Sequence, residues 1–135
     1  IVEQTQIGEF AKMGIRTLSQ GMKQQLTLAI AYATGARYLL LDEPMNALDP
    51  SRVDLHSEIL RKLADSGTCI IMSSHILDSV DRLCDEILFL KDGRLIRSIP
   101  QDDAAPKSPG SHFAKPAGRA EGALSTYRRL YEKGG

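Results

Sequence analysis

The sequence is poor in cysteine and has no long apolar run. Cys69 and Cys84 stand without the CxxC or Cys/His spacing of a zinc site. Cys69 lies inside an apolar run, so we expect a small buried thiol in a reducing compartment. Apolar runs such as residues 39–41 fall far below the ~18 residues that a membrane-spanning helix needs. The sequence therefore excludes a chain that crosses a bilayer.

An excess of charge of either sign is also absent. Lys and Arg total 17, Asp and Glu total 17, and the net charge at pH 7 is +0. Attraction of the whole chain to nucleic acid or to an anionic membrane is therefore not expected. The 135 residues suit one domain or part of one. The chain begins at Ile1 with neither an initiating Met nor a signal-peptide pattern, which suggests a piece of a longer protein.

The spacing of apolar residues predicts helices alternating with strands. A helix capped by Ser19 and ended by Gly35 would bury one face. That face comprises Met22, Leu26, Ala29, Ile30 and Ala33. The short apolar runs 38–41 and 68–72 predict parallel strands covered on both faces. Between them, Asp49 and Pro50 begin a second helix that ends at Gly67. The buried stripe of this second helix is Leu55, Ile59, Leu60 and Leu63.

The rest of the chain predicts a short helix, a hairpin, a linker and a final helix. The short helix carries Ile76, Leu77, Val80 and Leu83. Residues 86–90 and 94–99 flank Asp92-Gly93, a strong hairpin signal. The order β-α-β-α-β-β predicts an α/β fold with a parallel sheet ending in an antiparallel hairpin. Residues 100–122 are rich in Pro, Gly, Ala and Ser, as in a flexible linker. Residues 123–135 hold a short helix, with a docking face of Leu124, Tyr127, Leu130 and Tyr131.

Chemically active side chains follow the predicted strands and open the first long helix. Asp42 and Glu43 end one strand, where one acid can hold a Mg²⁺ shell and the other can polarise water. Ser19 and Gly21 open a helix whose free N–H groups suit phosphate oxygens. His75 follows the next strand, where an imidazole can meet a phosphate or position water. Taken singly, each feature is more often a cap, a solvated strand end or a structural histidine.

Four motifs in a fixed order carry a more specific signal. They are Leu-Ser-x-Gly-Met-Lys-Gln (18–24), Leu-Leu-Leu-Asp-Glu-Pro (39–44), Asn-Ala-Leu-Asp-Pro (46–50) and Ser-Ser-His (73–75). Over residues 16–99 the chain resembles the ATPase subunit of ATP-binding-cassette (ABC) transporters. Met22 stands where many members have Gln, a variant common among drug and antibiotic exporters, and Gln25 stands where many have Arg. The resemblance implies part of a P-loop NTPase core, with residues 1–36 from the helical signature subdomain and 37–99 from the carboxyl-terminal half of the core.

The resemblance also implies a role for each matching residue. Ser19 and Gly21, with Met22, belong to the signature loop, which would contact the γ-phosphate of an ATP held mainly by the opposite subunit of a head-to-tail dimer. Asp42 would organise Mg²⁺ through water, and Glu43 would be the catalytic carboxylate for the attacking water. Residues 46–49, with Asp49, resemble the D-loop that crosses the dimer interface, and His75 resembles the switch histidine. The implied partners are a second ATPase subunit and a membrane permease, at the cytoplasmic face of the cell membrane, with no nucleic acid.

One expected motif is missing from the 135 residues. None of the eleven glycines is followed by Lys, so no Gly-x-x-x-x-Gly-Lys-Ser/Thr (Walker A) loop is present. Two interpretations follow. In the first, the chain is the distal part of a transporter ATPase and is inactive by itself. In the second, it is a naturally truncated, non-catalytic partner that lends its signature motif to a complete ATPase. A soluble ABC ATPase of DNA repair or translation is a third interpretation, disfavoured because neither a second cassette nor a coiled-coil insertion is evident.

Overall fold

The computed structural model describes residues 1–100 and 122–132. The chain divides into two compact units, Ile1–His75 and Ile76–Gly135, and each is described by itself. The linker predicted over 100–122 lies, except for its two ends, outside the described residues. No helix within the two described ranges has the length and apolarity needed to span a membrane.

The first unit places two long helices beside a pair of parallel strands. Its elements are α1 (Val2–Thr5), short 3-10 turns at Ile7–Glu9 and Ile15–Thr17, α2 (Gln20–Ala33), β1 (Tyr38–Leu41), α3 (Pro50–Asp65) and β2 (Cys69–Met72). The second unit contains α4 (Leu77–Leu83), β3 (Glu86–Lys91), β4 (Arg94–Pro100) and α5 (Ala123–Tyr127), which continues as a π-helical turn over Arg128–Glu132. The predicted α/β fold, with a parallel pair and a terminal antiparallel hairpin, is confirmed.

Helix α2 begins and ends where the sequence predicts. The Ser19 side chain accepts the Met22 N–H at 3.2 Å, and Gly35 follows the helix with φ +61°. The buried face is only partly as predicted, because Ile30 is 60% exposed and Ala33 is exposed as well. Ala29 lies at one side of the covered arc, and Ile30 is turned roughly 100° further round the helix, out of that arc. The buried residues of α2 are Gln25, Leu28, Ala29 and Tyr32.

The parallel strands are covered on one face only, among the residues that the structure describes. The register pairs Tyr38 with Cys69 and Leu40 with Ile71, so these four side chains share one face. On that face Leu40 is 78% exposed and Cys69 is exposed too, whereas Leu39 on the other face is buried. The predictions of strands covered on both faces and of a buried Cys69 thiol are therefore wrong for this structure. A short apolar run predicts a strand but does not tell which of its faces has a neighbour.

Helix α3 confirms its predicted start, end and buried stripe. The Asp49 carboxylate accepts the N–H groups of Ser51 and Arg52 at 3.1 and 3.2 Å, and Pro50 occupies the first turn. Gly67, with φ +97°, follows the helix end. Ile59 and Leu60 are buried, while Leu55 and Leu63 are half-buried. The predicted stripe therefore faces the interior of the unit.

A histidine that the sequence analysis did not single out lies between α2 and α3. His56 is fully buried, and its Nδ1 lies 3.2 Å from the Tyr32 hydroxyl. Burial, with a smaller contribution from the charge of Arg52, lowers the pKa of His56 to about 4. Burial also raises the pKa of Tyr32. Both side chains are therefore neutral in the folded chain near pH 7.

We expect the stability of the folded chain to fall as the pH falls from about 6.5 to about 4, since an unfolded histidine binds a proton in this range and buried His56 does not. The predicted loss from this one group is about 2 kcal/mol. Urea unfolding between pH 7.5 and 4.5 measures it, with His56→Gln as the comparison. An equally steep pH dependence in that variant would contradict the prediction.

The second unit packs its helices on one face of a hairpin. Strands β3 and β4 pair from Glu86↔Pro100 to Lys91↔Arg94, and the turn residues Asp92 and Gly93 both have positive φ. The hairpin is thus confirmed. Its core consists of Val80, Ile87, Phe89 and Ala123, with Leu77, Cys84, Ile99, Leu130 and Tyr131 packed against it.

The final helix docks through a different face from the predicted one. The Asp81 carboxylate accepts the Ala123 N–H at 2.9 and 3.0 Å, which brings the start of α5 against α4. Ala123 and Thr126 are buried, whereas Leu124 and Tyr127 are 44% and 39% exposed. The predicted docking by Leu124 and Tyr127 is therefore wrong. The small side chains of Ala123 and Thr126 allow α5 to approach closely. The wider π-helical turn that follows changes which residues face the core. Leu130 and Tyr131 pack against the core as predicted, and the Tyr131 hydroxyl donates to the Leu90 carbonyl.

Candidate functional site

Side chains at the carboxyl ends of the two parallel strands form the first candidate group. Asp42 and Glu43 directly follow β1, and Ser73 directly follows β2, whose last residue pairs with Leu41. The Ser73 hydroxyl donates to Asp42 Oδ1 at 2.5 Å and accepts the Glu43 N–H at 2.8 Å. The strand register thus brings one hydroxyl to both acidic positions.

Glu43 and His75 form the second contact of this group. Glu43 Oε2 lies 2.8 Å from His75 Nδ1 and accepts the His75 backbone N–H at 3.4 Å. The side chains are 34% and 67% exposed, respectively, so both are open to a ligand from solvent. A carboxylate oxygen at this distance accepts a hydrogen bond from the tautomer of His75 that has its proton on Nδ1. The structure therefore brings these two sequence-predicted residues together.

The other predicted residues line a second group, a cavity of about 340 Å³ beside the start of α2. Ser19, Gly21, Met22 and Asp49 all line this cavity. Its remaining lining residues are Glu9, Phe10, Gln25, Ala47, Leu48 and Arg52. The structure thus places the predicted signature residues and the predicted D-loop aspartate around one opening, apart from the Glu43–His75 pair.

The start of α2 and the 44–49 loop touch through their backbones. A Cβ added to Gly21 would lie 2.7 Å from the Ala47 carbonyl oxygen, a distance that real Cβ atoms do not reach. Ala47 itself has a φ of +63°. On the next turn of α2, the Gln24 amide donates to the Pro44 carbonyl at 3.0 Å. Only glycine at position 21 permits this approach of the helix and the loop.

Two charged side chains at the cavity, those of Asp49 and Arg52, are held in place by hydrogen bonds. The Ser51 hydroxyl and the Arg52 N–H hold the pKa of Asp49 below its usual value, so its carboxylate is ionised near pH 7. The Arg52 guanidinium donates to Glu9 Oε2 at 3.0 Å and to Gln6 Oε1 at 2.5 Å. Arg52 therefore links the start of α3 to the segment that follows α1.

Three contacting residues were given no role of their own by reasoning from the sequence: Ser73 and Gln24, which belong to the quoted motifs, and Arg52. Ser73 had a signal, because the first residue after a parallel strand lies beside the first residue after its neighbour. Gln24 and Arg52 had none of comparable strength, since their partners are set by the tertiary packing of α2 and α3. Contacts within one turn of chain and between the ends of paired strands were predictable, whereas contacts that depend on how the helices pack were not.

A resident metal site is not complete in the described parts of the chain. Within 1–100 and 122–132, no group of three or more His, Cys, Asp and Glu side chains is placed to hold a metal ion. Asp42 offers one exposed carboxylate whose Oδ1 is engaged by Ser73. Mg²⁺ commonly uses one or two carboxylates and completes its shell with water and substrate phosphates. The donor set therefore fits an ion that arrives with a phosphate ligand.

Comparison with known sequences finds a consistent set of relatives. A family model described as "ABC transporter" matches residues 1–46. The chain is 39% identical over 90 residues to the lantibiotic transport ATP-binding protein SrtF of Streptococcus pyogenes, covering 67% of this chain and 39% of that protein. It is 37% identical over 100 residues to the Nod factor export ATP-binding protein I of Neorhizobium galegae, covering 74% of this chain and 29% of that protein. The chain thus spans well under half the length of these relatives.

Solved structures show the same similarity. An ATP-binding subunit of an ABC transporter matches with a TM-score of 0.69 and 26% identity, over 76% of this chain and 42% of that chain. A dimeric ATP-binding cassette in a post-hydrolysis state, bound to ADP and Pi, matches with a TM-score of 0.67 and 26% identity, over 75% of this chain and 45% of that chain. The predicted resemblance is confirmed by sequence and by fold.

Proposed function

Because this chain belongs to the family of ABC transporter ATPase domains, we propose that it supplies the carboxylate, the switch histidine and the signature loop of an ATPase that drives transport across a membrane. The observation that carries this proposal is the Glu43–His75 contact of 2.8 Å at the carboxyl end of β1, directly beside Asp42. Two acids and an imidazole at one exposed strand end suit the positioning of water against a phosphate.

Glu43 is the proposed general base. Its carboxylate would accept a proton as water attacks the γ-phosphate of ATP in line with the leaving oxygen. His75 holds that carboxylate in the present structure, and its other ring nitrogen, Nε2, is available to meet a phosphate oxygen. In a protonated ring both nitrogens donate, so one imidazole can contact Glu43 and the γ-phosphate together.

Asp42 is the proposed metal residue. Mg²⁺, when bound with ATP, would neutralise charge on the phosphate oxygens. The Ser73 hydroxyl donates to Oδ1 of Asp42 and limits the rotation of the carboxylate, so its orientation would be fixed when Mg²⁺ is bound. Asp42 would therefore act through water, with the phosphates completing the shell.

Ser19, Gly21 and Met22 are the proposed nucleotide contacts of the signature loop. The Ser19 hydroxyl and the N–H groups of Gln20 and Gly21 at the start of α2 are donors suited to phosphate, whereas the Met22 N–H is engaged by the Ser19 cap. They line a cavity apart from the Glu43–His75 pair, which supports a role toward the nucleotide of a second subunit in a head-to-tail dimer. Asp49 on the same cavity would link the two sites.

We further propose that the partner in the membrane is a permease of the exporter type, with this chain at the cytoplasmic face. The relatives named above carry out lantibiotic transport and Nod factor export, according to their names. Those names support an exporter. A charge balance of zero gives no separate reason to expect nucleic acid.

We propose an alternative function for the case in which the gene encodes these 135 residues alone. The 135 residues form a signature loop at α2 but contain no Gly-x-x-x-x-Gly-Lys-Ser/Thr loop for the phosphates. A chain of this kind would act as a non-catalytic partner that lends Ser19 and Gly21 to a complete ATPase subunit. The coding DNA upstream of Ile1 distinguishes the two functions, because an in-frame loop of that pattern would place base, switch and phosphate cradle in one protein.

The purified 135-residue chain by itself is expected to hydrolyse no ATP, since the phosphate cradle is absent from its sequence. Release of inorganic phosphate is the measurement, with the Glu43→Gln form of the same chain as the background control. Phosphate release clearly above that background would contradict the expectation. Turnover that appears only after a complete cassette with an inactivated signature serine is added would favour the lending role.

A further inference from the structure

Ser73 contacts the end of β1 at three successive residues. Its backbone N–H donates to the Leu41 carbonyl at 3.0 Å, extending the ladder of β1 and β2 by one bond. Its hydroxyl then donates to Asp42 Oδ1 at 2.5 Å and accepts the Glu43 N–H at 2.8 Å. One side chain thus engages both acidic positions, while its own backbone is anchored to the strand before them.

The contact with Glu43 coincides with an unusual backbone conformation. Glu43 has a φ of +45°, the left-handed region that a residue with a Cβ rarely adopts. Such a conformation persists when surrounding contacts hold it. The hydrogen bond from the Glu43 N–H to the Ser73 hydroxyl is one such contact, and it lies on the residue whose carboxylate meets His75.

We propose that Ser73 is a positioning residue of the hydrolytic site, a role that rests on the function proposed above. Its hydroxyl fixes which oxygen of Asp42 faces a metal-bound water and holds the backbone turn that directs the Glu43 carboxylate toward the reacting water. Ser73 itself makes no contact with the reacting atoms in this role. A serine serves here because one hydroxyl donates to a carboxylate and accepts from an N–H at the same time.

A comparison of threonine with valine at position 73 tests the proposal, because these two side chains differ only in a hydroxyl against a methyl group of similar size. Ser73→Thr keeps the hydroxyl and Ser73→Val has nearly the shape of threonine without it, so the two variants differ in the two hydrogen bonds alone. In the full-length product of the gene that encodes this chain, assayed with its partner subunit, we expect Ser73→Val to lower kcat by about 10- to 100-fold, as for a misplaced catalytic group. The KM for ATP should change much less, and Ser73→Thr should stay within about 3-fold of the unmodified kcat.

A second readout does not depend on activity. In the 135-residue chain, hydrogen exchange of the Glu43 amide should be faster in Ser73→Val than in Ser73→Thr, because only threonine retains the acceptor for that N–H. Equal kcat values for the two variants, or equal exchange of the Glu43 amide, would overturn the positioning role. Loss of activity in both variants alike would also overturn it, since the hydroxyl would then not be the group that matters.

Glu43→Gln in the same protein separates this inference from the proposed function. If Glu43→Gln leaves turnover normal, the assignment of the site is wrong whatever Ser73 does. If Glu43→Gln abolishes turnover while Ser73→Val behaves as Ser73→Thr, the site is correctly assigned and the role of Ser73 is wrong. Loss of turnover in Glu43→Gln and in Ser73→Val, with retention in Ser73→Thr, supports both.

Discussion

Glu43→Gln is expected to lower the rate of ATP hydrolysis by at least about 100-fold, because an amide cannot accept the proton of the attacking water and general bases contribute 10²- to 10⁴-fold or so. The change removes a charge but keeps the shape of the side chain. The amide oxygen still accepts the hydrogen bond from His75 Nδ1, which lies 2.8 Å from Glu43 Oε2 in the structure. Loss of turnover should therefore occur without loss of the fold.

The variant should retain binding of nucleotide and ATP-driven dimerisation, since the proposed phosphate contacts at Ser19 and Gly21 line a cavity that Glu43 does not line. The measurements are phosphate release and size-exclusion chromatography with ATP, on the full-length gene product together with its partner subunit. Glu58→Gln is the matched control, because Glu58 is exposed on α3 and the same atom is replaced. Near-normal hydrolysis by Glu43→Gln would remove Glu43 from the catalytic role.

Local rules predicted the ends of the helices because both partners of a cap lie within a few residues. Ser19 with Met22, and Asp49 with Ser51, are such pairs, and both are present in the structure. Gly67 ends α3 for the same kind of reason, since it supplies a φ of +97°. Caps of this type need no knowledge of the tertiary fold, so the sequence sufficed.

Burial was harder to predict because it depends on which surfaces have a neighbour. Leu40 and Cys69 are as apolar as the sequence analysis assumed, yet both lie on the open face of the parallel pair. His56 illustrates the opposite error, because a polar side chain that gave no pattern signal is fully buried against Tyr32. Periodicity tells which residues share a face, and only packing tells whether that face is covered.

The candidate site shows the same division between local and long-range information. Asp42, Glu43 and His75 were found from their positions at strand ends and from the resemblance to a family. Their contacts with one another follow from the parallel register of β1 and β2, which brings residues 42–43 and 73–75 together. The same register places Ser73 beside Asp42, so a contact between these two residues is also predictable from the pairing of the strands.

Gly21→Ala is expected to separate the signature helix from the 44–49 loop. The new Cβ would lie 2.7 Å from the Ala47 carbonyl oxygen, and a backbone atom cannot rotate away as the end of a side chain can. Relief of the clash requires a shift of the loop or of the first turn of α2. Overpacking of this kind costs roughly 1–3 kcal/mol, from which up to about 1 kcal/mol is recovered by the better helix propensity of alanine. The net destabilisation is therefore smaller than the clash alone implies.

The larger effect of Gly21→Ala should be on function, because the loop carries Asp49 and the start of α2 carries Ser19 and Met22. A shift of either segment displaces groups that line the cavity. We expect turnover to fall by about 10- to 100-fold, as for other displacements of positioning groups by an ångström or so. Gly14→Ala is the matched control, because nothing lies within 4 Å of its added Cβ and its φ is −66°. Urea unfolding of the chain and phosphate release by the full-length protein are the two measurements. If Gly21→Ala behaved as Gly14→Ala in both, the contact between Gly21 and Ala47 would neither shape the cavity nor couple it to Asp49, and the two proposed sites would have to communicate by another route.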